Sequence, residues 1–263
     1  MNFEQNDGLR VLDNINISVN KDEFVCLLGP SGSGKTVLLF LIAGFLKPTR
    51  GQIFIDGRET YQPNTDRIMV FQDYVLFPWM TVSENILFGL TKSHLSRPDK
   101  QALRDKYLEM VGLTKFKNSP VTLLSGGMKQ RVALARAFIA NPKILLMDEP
   151  FAALDSQNRK FIRRSLAEIW EKTKKTVIFV THSVSEAVEL SDTIYLLSGQ
   201  PAKIKNTYKI DIPRPRNPQS REFLKIYKKI EREISKEYEK DGSPNIAGNV
   251  ALKQILKTIS KYR

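Results

Sequence analysis

The feature that most constrains the fold is an apolar run followed by a glycine-rich turn and then by a helical pattern. The run Phe24–Leu28 has the length and composition of a strand in the middle of a sheet. A turn between a strand and a helix presents backbone N–H groups and the positive end of a helix dipole to an anion. The sequence therefore predicts an α/β fold with a phosphate site at Gly29, Pro30, Ser31, Gly32, Ser33, Gly34, Lys35 and Thr36.

Two side chains of this phosphate loop carry chemistry of their own. In this pattern Lys35 is expected to contact the β- and γ-phosphates of ATP, and Thr36 to give its hydroxyl to Mg²⁺. The alternative is a chance glycine turn, which becomes rare once a strand and a helix flank it. We therefore expect ATP and Mg²⁺ as cofactors.

A pair of adjacent carboxylates follows a second apolar run. Asp148 comes after apolar residues 144–147, so it is expected at the carboxyl end of a buried strand, where ligands bind in such sheets. We assign Asp148 to Mg²⁺ through water, and Glu149 to the attacking water as a general base. The alternative for each is a surface acid that caps the next turn. Pro150 and the Ala-Ala-Leu-Asp segment that ends at Asp155 argue against it.

Three further motifs are informative because of the order in which they occur along the chain. Gln72 follows a predicted strand that ends at residue 71, and His182 ends a strand predicted over 177–181. The Leu-Ser-Gly-Gly-Met segment at 124–128 places a serine and two glycines at the start of a helix, which makes a second anion site without its own nucleotide. The economical explanation is that this segment completes the site of another subunit.

In this order the motifs resemble the nucleotide-binding subunit of an ATP-binding cassette (ABC) transporter, over roughly residues 3–210. The resemblance implies a phosphate-loop NTPase of the ABC ATPase type: a mostly parallel α/β sheet with an antiparallel β edge and an inserted α-helical subdomain. It implies that Gln72 touches Mg²⁺ and the attacking water, and that His182 contacts the γ-phosphate. It also implies a head-to-tail homodimer, in which one copy adds Ser125, Gly126 and Gly127 to the other copy's ATP, with Asp155 at the interface.

Two positions depart from the family pattern. Met128 stands where the signature most often has Gln, although Met is familiar in importer branches. Phe3 is the aromatic residue near the right distance upstream of the phosphate loop to stack on adenine, but the family's first strand would have to precede it. Either the start of the chain is shortened, or Phe3 is an ordinary surface residue.

The chain is predicted to divide into an ABC ATPase domain at 1–210, with a helical subdomain at about 73–140, and a Pro-rich linker and helical tail at 211–263. In the tail, prolines block regular structure over 213–218, and helical spacing returns over 219–240. Residues 241–249 are predicted as a loop before a short last helix. An apolar stripe on the tail helix is expected to dock on its own domain, through Phe223, Ile226, Ile230 and Ile234.

Local patterns predict several elements and caps. Alternation at Ile15, Ile17 and Val19 predicts a half-buried strand, and residues 52–56 a further strand. Residues 81–84 have the spacing of a capping box. Helix caps are also predicted at Ser125, Asp155 and Ser183.

Charge and composition limit the partners. The formal net charge of +13 favours an anionic partner, such as nucleic acid, an anionic membrane surface or ATP itself. The basic tail carries mixed-sign helix faces, which are typical of a solvated surface; the alternative is contact with lipid headgroups. No apolar run approaches the roughly 20 residues that span a bilayer, and no secretory leader is recognisable. Cys26, the one cysteine, is expected to be a small buried hydrophobe.

Transport is the leading hypothesis for what the ATPase drives. Residues 73–85 are apolar and include Trp79, and they look like the groove that receives a membrane subunit's coupling helix; the alternative is that Trp79 packs in the core. With Met128 and the Pro-rich stretch, the chain is similar to importers of the nitrate, taurine, aliphatic sulfonate and pyrimidine-precursor group. Such a subunit lies peripherally on the cytoplasmic face of the inner membrane, with two integral membrane permease subunits and, indirectly, an external solute-binding protein.

Two other machines remain open. One is a soluble ABC ATPase that acts on nucleic acid or ribosomes, and the other is an exporter ATPase. A single cassette with a short insertion argues against the first, so no nucleic-acid partner is expected. Only the insertion and the tail speak against the second.

Overall fold

The computed structural model describes residues 1–4, 10–152 and 154–240. Its strands are β1 Phe3–Glu4, β2 Arg10–Leu12, β3 Phe24–Leu28, β4 Phe54–Ile55, β5 Arg58–Glu59, β6 Arg67–Val70, β7 Ile144–Asp148, β8 Thr176–Thr181, β9 Thr193–Leu197 and β10 Ile204–Lys209. Its α-helices are α1 Lys35–Ala43, α2 Val82–Phe88, α3 Arg97–Met110, α4 Gly126–Ile139, α5 Ser156–Thr173, α6 Val184–Leu190 and α7 Arg221–Lys240. The chain divides into a first unit, residues 1–63 with 178 onward, and a second unit, residues 64–177.

The first unit is built on strands that lie side by side in the order β10, β9, β3 and β8. β3 runs parallel to β9, and β10 pairs antiparallel to β9 at the edge. Every residue of β3 and β9 is buried, as expected for strands covered on both faces. The predicted fold class, a mostly parallel sheet with an antiparallel edge, is confirmed.

The second unit combines a parallel strand pair with helices. β6 pairs with β7 so that Val70 lies opposite Met147. The predicted capping box is present at the start of α2: Thr81 Oγ1 accepts from the Glu84 N–H, and the Thr81 N–H donates to the Glu84 carboxylate. Ser125 and Asp155 cap α4 and α5, as predicted.

Two predicted strands differ from the structure. Residues 15–19 alternate between buried and exposed, but they form no ladder. Instead, the Tyr195 hydroxyl donates to the Ser18 carbonyl at 2.7 Å and accepts from the Ser18 N–H at 3.2 Å. A side chain thus satisfies backbone groups that a neighbouring strand would otherwise pair. The strand predicted over 52–56 shortens to β4, which pairs with β5 in a small hairpin.

The tail helix α7 packs against α6 within the first unit, which confirms that its stripe docks on its own domain. The stripe differs by one position: Tyr227 is buried, and Ile226 is only partly so. Buried positions at Phe223, Tyr227 and Ile230 follow helical spacing, and the Tyr227 hydroxyl can stay buried because it donates to Glu231. The predicted loop at 241–249 and the last helix lie outside the described residues.

Two further predictions concern membrane-spanning helices and the helical subdomain. Among the described residues, no helix is both long and apolar enough to cross a bilayer. The predicted helical subdomain at 73–140 lies within the second unit, and its limits stay a prediction.

Candidate nucleotide site

The phosphate loop connects β3 to α1 with a backbone that needs glycine. Gly32 and Gly34 have φ angles of 78° and 81°, which side-chain-bearing residues rarely adopt. A Cβ at Gly34 would lie 2.8 Å from Val11 Cγ1 and 2.9 Å from Leu12 Cδ2. Helix α1 has no side-chain cap and no acidic residue in its first turn. This helix terminus therefore lacks the side-chain cap that would compete with an anion for its backbone N–H groups.

Lys35 is held beneath the loop. The residue is only 4% exposed. Its ammonium donates to the Gly29 carbonyl at 3.0 Å, the Pro30 carbonyl at 2.5 Å and the Ser33 hydroxyl at 3.4 Å. These acceptors offset the cost of burying a charge. The ammonium is thus pre-positioned at the turn where the sequence predicts phosphates.

Two more predicted site residues lie in the first unit. His182 follows the last residue of β8 and is partly buried. Phe3 is partly buried in β1, where it pairs with Leu12 of β2. Phe3 thus belongs to the first strand instead of following it.

The carboxylate pair lies at the end of β7 in the second unit. Asp148 is the last residue of the strand and is buried. Glu149 has a φ of 41°, and its carbonyl accepts from the Ala152 N–H at 3.1 Å. A left-handed glutamate is strained, and such strain is concentrated at functional sites. The backbone therefore turns sharply at Glu149, directly after the carboxylate that ends β7.

Gln72 lies at the same edge of the parallel pair as these carboxylates. β6 and β7 run parallel with Val70 opposite Met147, so Gln72 and Glu149 each follow that level by two residues. Gln72 is exposed. The register thus places Gln72 at the same sheet edge as Asp148 and Glu149, and their joint role stays a prediction.

The serine-glycine segment begins α4. Ser125 is exposed, and its hydroxyl accepts from the Met128 N–H at 3.4 Å. A Cβ at Gly126 would lie 2.8 Å from the Tyr74 hydroxyl, and one at Gly127 would lie 3.1 Å from the Asn158 amide carbon. Both glycines therefore allow close approach by other side chains of the second unit.

Asp155 connects to the same segment through Asn158. Its carboxylate accepts from the Asn158 N–H at 3.0 Å, the Asn158 side-chain amide at 2.6 Å and the Gln157 N–H at 3.1 Å. These hydrogen bonds, those from Asn158 above all, lower the pKa of Asp155. Neither Asn158 nor Tyr74 has a sequence motif that marks it as part of a site; for Asn158, the available signal is its position three residues after a capping aspartate.

A groove in the second unit carries exposed aromatic residues. Its volume is about 1030 Å³, and Phe77, Phe88 and Arg136 line it. The Phe77 ring lies 4.5 Å from that of Phe88 and 5.5 Å from that of Trp79, and the Arg136 guanidinium lies over Phe77 at 5.4 Å. Burial lowers the pKa of Arg136. Trp79 is 76% exposed, so the alternative that it packs in the core is wrong.

The family model described as ABC transporter matches residues 12–152, more than half of the chain. The chain belongs to the ABC transporter family. This ABC protein is therefore an ATP-binding protein and an ATPase. The phosphate loop, the serine-glycine segment and the carboxylate pair all lie within the matched residues.

Relatives of this ABC protein match it over most of their length. An uncharacterised ABC transporter ATP-binding protein of Methanocaldococcus jannaschii is 49% identical, over 86% of this chain and 85% of the relative. A nitrate import ATP-binding protein of Synechocystis is 46% identical, over 77% and 76%. An aliphatic sulfonates import ATP-binding protein of Bacillus cereus is 43% identical, over 86% and 89%.

A solved structure of a bacterial ABC transporter cassette, described as dimeric, is similar to this ABC protein. Its TM-score is 0.70 with 32% identity, over 81% of this chain and 96% of that one. The ABC fold is thus shared at the level of both sequence and structure.

Proposed function

We propose that this protein is the ATP-hydrolysing subunit of an ABC importer for a small solute. The observation that carries the proposal is the similarity, above 40% identity, to ATP-binding proteins named for nitrate and for aliphatic sulfonate import. The solute is then a small anion of the nitrate, sulfonate or taurine kind, or a pyrimidine precursor. The subunit lies on the cytoplasmic face of the membrane and works with two permease subunits and, through them, an external solute-binding protein.

Nucleotide binding is assigned to the phosphate loop. Backbone N–H groups of the loop after Pro30 and of the first turn of α1 surround the phosphates, at a helix terminus whose N-cap, Gly34, makes no side-chain hydrogen bond. Lys35 turns from its loop carbonyls toward the β- and γ-phosphates. Phe3 is proposed to stack on adenine.

The residues present fit Mg²⁺. Asp148 supplies a buried carboxylate at a strand end, Thr36 a hydroxyl in the first turn of α1, and Gln72 an amide oxygen. Among the described residues no cluster of three His, Cys, Asp or Glu side chains suits a metal ion. A magnesium ion held by these residues would also take phosphate oxygens and water as ligands, as magnesium usually does. When bound, it neutralises charge on the transferring phosphate.

Hydrolysis is assigned to Glu149, with Gln72 and His182. Glu149 accepts a proton from the attacking water, and Gln72 orients that water from the same sheet edge. His182 donates a hydrogen bond to the γ-phosphate. Ser125, Gly126 and Gly127 reach the γ-phosphate of a second copy, with Asp155 at the interface. This arrangement makes ATP binding close a head-to-tail homodimer.

The groove is proposed to receive the permease. An exposed tryptophan beside a cavity of about 1030 Å³ suits an amphipathic helix, which buries an apolar face in such grooves. The charge of +13 is the observation that favours the second candidate, an ABC ATPase acting on nucleic acid or ribosomes. Permease and polyanion are therefore compared directly in the test.

We expect reconstituted permease subunits from neighbouring genes to stimulate ATP hydrolysis, and DNA or ribosomes not to. Trp79→Ala should remove most of that stimulation and leave hydrolysis by the subunit alone unchanged, because the exposed Trp79 ring lies beside Phe77, which lines the groove. Phe54→Ala is the matched control, since Phe54 is also an exposed aromatic residue but lies in the first unit. Phosphate release measures both rates. Stimulation by DNA or ribosomes, with none by permease, would support the second candidate.

A further inference from the structure

Glu186 is a buried carboxylate for which the proposed mechanism has no use. It lies in the first turn of α6, four residues after His182, and is 5% exposed. Burying an ionised carboxylate is costly unless hydrogen bonds and charge compensate it. Its contacts therefore indicate what it does.

Those contacts fix the backbone on both sides of His182. The Thr181 hydroxyl donates to the Glu186 carboxylate at 2.6 Å, and the same hydroxyl accepts from the Ser183 N–H at 3.0 Å. The Glu186 N–H in turn donates to the Ser183 hydroxyl at 3.4 Å. The residue before the histidine is thus tied to the Glu186 carboxylate, and the residue after it to the Thr181 hydroxyl and the Glu186 backbone.

The packing of α6 places this carboxylate beside the strand that leads into the phosphate loop. α6 packs against β3, the strand that leads into the loop. Burial raises the pKa of the Cys26 thiol; the charge of Glu186 raises that pKa further, and the charge of Lys35 opposes it. The charges of Glu186 and Lys35 therefore act on the Cys26 thiol with opposite effects on its pKa.

The other end of α6 is held by the Pro-rich segment. Arg216 is 7% exposed, and its guanidinium donates to the carbonyls of Val188 at 2.7 Å, Ser191 at 2.6 Å and Ile210 at 3.1 Å. Arg214 donates to the Leu190 carbonyl at 2.5 Å and to the Asp192 carboxylate at 2.6 Å. Cationic donors at a helix C-terminus satisfy its last carbonyls and interact favourably with its dipole.

We propose that Glu186 is a positioning residue for His182 in ATP hydrolysis, and that Arg216 holds the helix that carries it. The proposal rests on the proposed role of His182. Glu186 acts through the Thr181 hydroxyl and the Ser183 backbone. It keeps the His182 imidazole in the position from which it contacts the γ-phosphate. Placement errors of about 1 Å cost up to roughly 100-fold in rate.

The first test compares two substitutions of Thr181. Thr181→Val keeps the shape of the side chain but removes the hydroxyl, whereas Thr181→Ser keeps the hydroxyl. We expect kcat for ATP to fall about tenfold in Thr181→Val, with KM within about twofold, and to stay near wild type in Thr181→Ser. A mere loss of stability would lower kcat by reducing the folded fraction of Thr181→Val. If Thr181→Val and Thr181→Ser melt at the same temperature and only the valine variant loses activity, the hydroxyl is responsible. An unchanged kcat in folded Thr181→Val would overturn the proposal.

The second test is a double-mutant cycle with His182→Ala. If Thr181 and Glu186 act through the histidine, Thr181→Val should cost less than about twofold once the imidazole is gone. The full tenfold loss in both backgrounds would show that the network serves something other than His182. If His182→Ala alone keeps wild-type kcat, the role proposed for His182 is wrong, and that result is distinct from failure of the network.

Two further variants keep the proposal testable if Thr181→Val folds poorly. Glu186→Gln keeps an acceptor for the Thr181 hydroxyl, so we expect a smaller loss of kcat, about threefold, again with KM unchanged. Arg216→Lys keeps the charge but not the spread of donors, and a similar loss is expected. Lys225→Ala, on the exposed side of α7, is the control that should leave kcat unchanged. Wild-type kcat in both folded variants would contradict the proposal.

Discussion

The N-termini of α1 and α4 differ in how their backbone donors are satisfied. α1, in the first unit, follows Gly34 with a φ of 81° and has no side-chain cap. α4, in the second unit, is capped by its own Ser125, whose hydroxyl accepts from Met128. Both begin at glycine-rich turns, yet only α4 has a side-chain cap of its own.

This difference assigns distinct tasks to two similar sequence motifs. A terminus without a cap leaves its N–H groups to be satisfied by water or ligand, so phosphate binding there gains the full benefit of the dipole. A capped terminus is already partly satisfied, so an added phosphate gains less. The first suits a nucleotide held by its own subunit, and the second suits a contact that forms and breaks during each cycle.

The largest expected effect separates these tasks by affinity. Lys35→Ala should weaken ATP binding by the isolated subunit at least about 100-fold, because several charge-assisted hydrogen bonds to phosphate are lost. Ser125→Ala should change that affinity less than about twofold and lower kcat about tenfold. Fluorescence anisotropy with a labelled ATP analogue measures the affinity.

Lys47→Ala is the control for Lys35, since Lys47 is an exposed lysine of the same unit. Equal loss of affinity in Ser125→Ala and Lys35→Ala would remove the distinction between the termini. Near wild-type affinity in Lys35→Ala would count against the phosphate loop itself.

The second effect comes from mixing two inactive proteins. Lys35→Ala disables the phosphate loop, and Gly127→Asp places a carboxylate where a γ-phosphate is expected. A mixed dimer contains one composite site in which both parts are intact. We expect the mixture to hydrolyse ATP roughly tenfold faster than either variant alone, because the intact site restores donors to the developing charge.

The control is each variant at the total concentration of the mixture. A rate equal to the mean of the two separate rates would mean that each subunit uses its own serine-glycine segment. That result would contradict the head-to-tail assembly while leaving the nucleotide assignments intact.

Local rules predicted the parts of the site that depend on local structure. The capping box from Thr81 to Glu84 and the caps at Ser125 and Asp155 follow from residue type and spacing, because each cap binds N–H groups within three residues. The family resemblance supplied the sites' proposed roles. The order of motifs then predicted the fold class, since a strand, loop and helix fix the local geometry of the phosphate loop.

Contacts between distant segments were beyond such rules. Glutamate is a residue type that is seldom buried, and only the tertiary fold buries Glu186 against Thr181. The alternation at residues 15–19 reports burial correctly but not which group satisfies the backbone, which turned out to be the Tyr195 hydroxyl. The predicted stripe on the tail helix included Ile226, but the residue that packing buries there is the adjacent Tyr227.

The smallest expected effect concerns the N-terminus of α5, which is the third helix terminus in the comparison. Its cap, Asp155, has a pKa lowered by hydrogen bonds from Asn158 and Gln157. A carboxylate whose pKa is lower in the folded state stabilises that state above its unfolded pKa of about 3.9, and the benefit is lost as pH falls through the folded pKa. Wild type should therefore melt at a slightly higher temperature than Asp155→Asn at pH 7, and the gap should narrow steadily as the pH falls below about 4. A gap that stays constant from pH 7 down to the lowest pH at which both proteins fold would mean that shape, not charge, makes Asp155 a cap. In that case α5, like α4, would keep its terminus satisfied by a neutral acceptor, and the uncapped α1 would differ from both in needing a charged one.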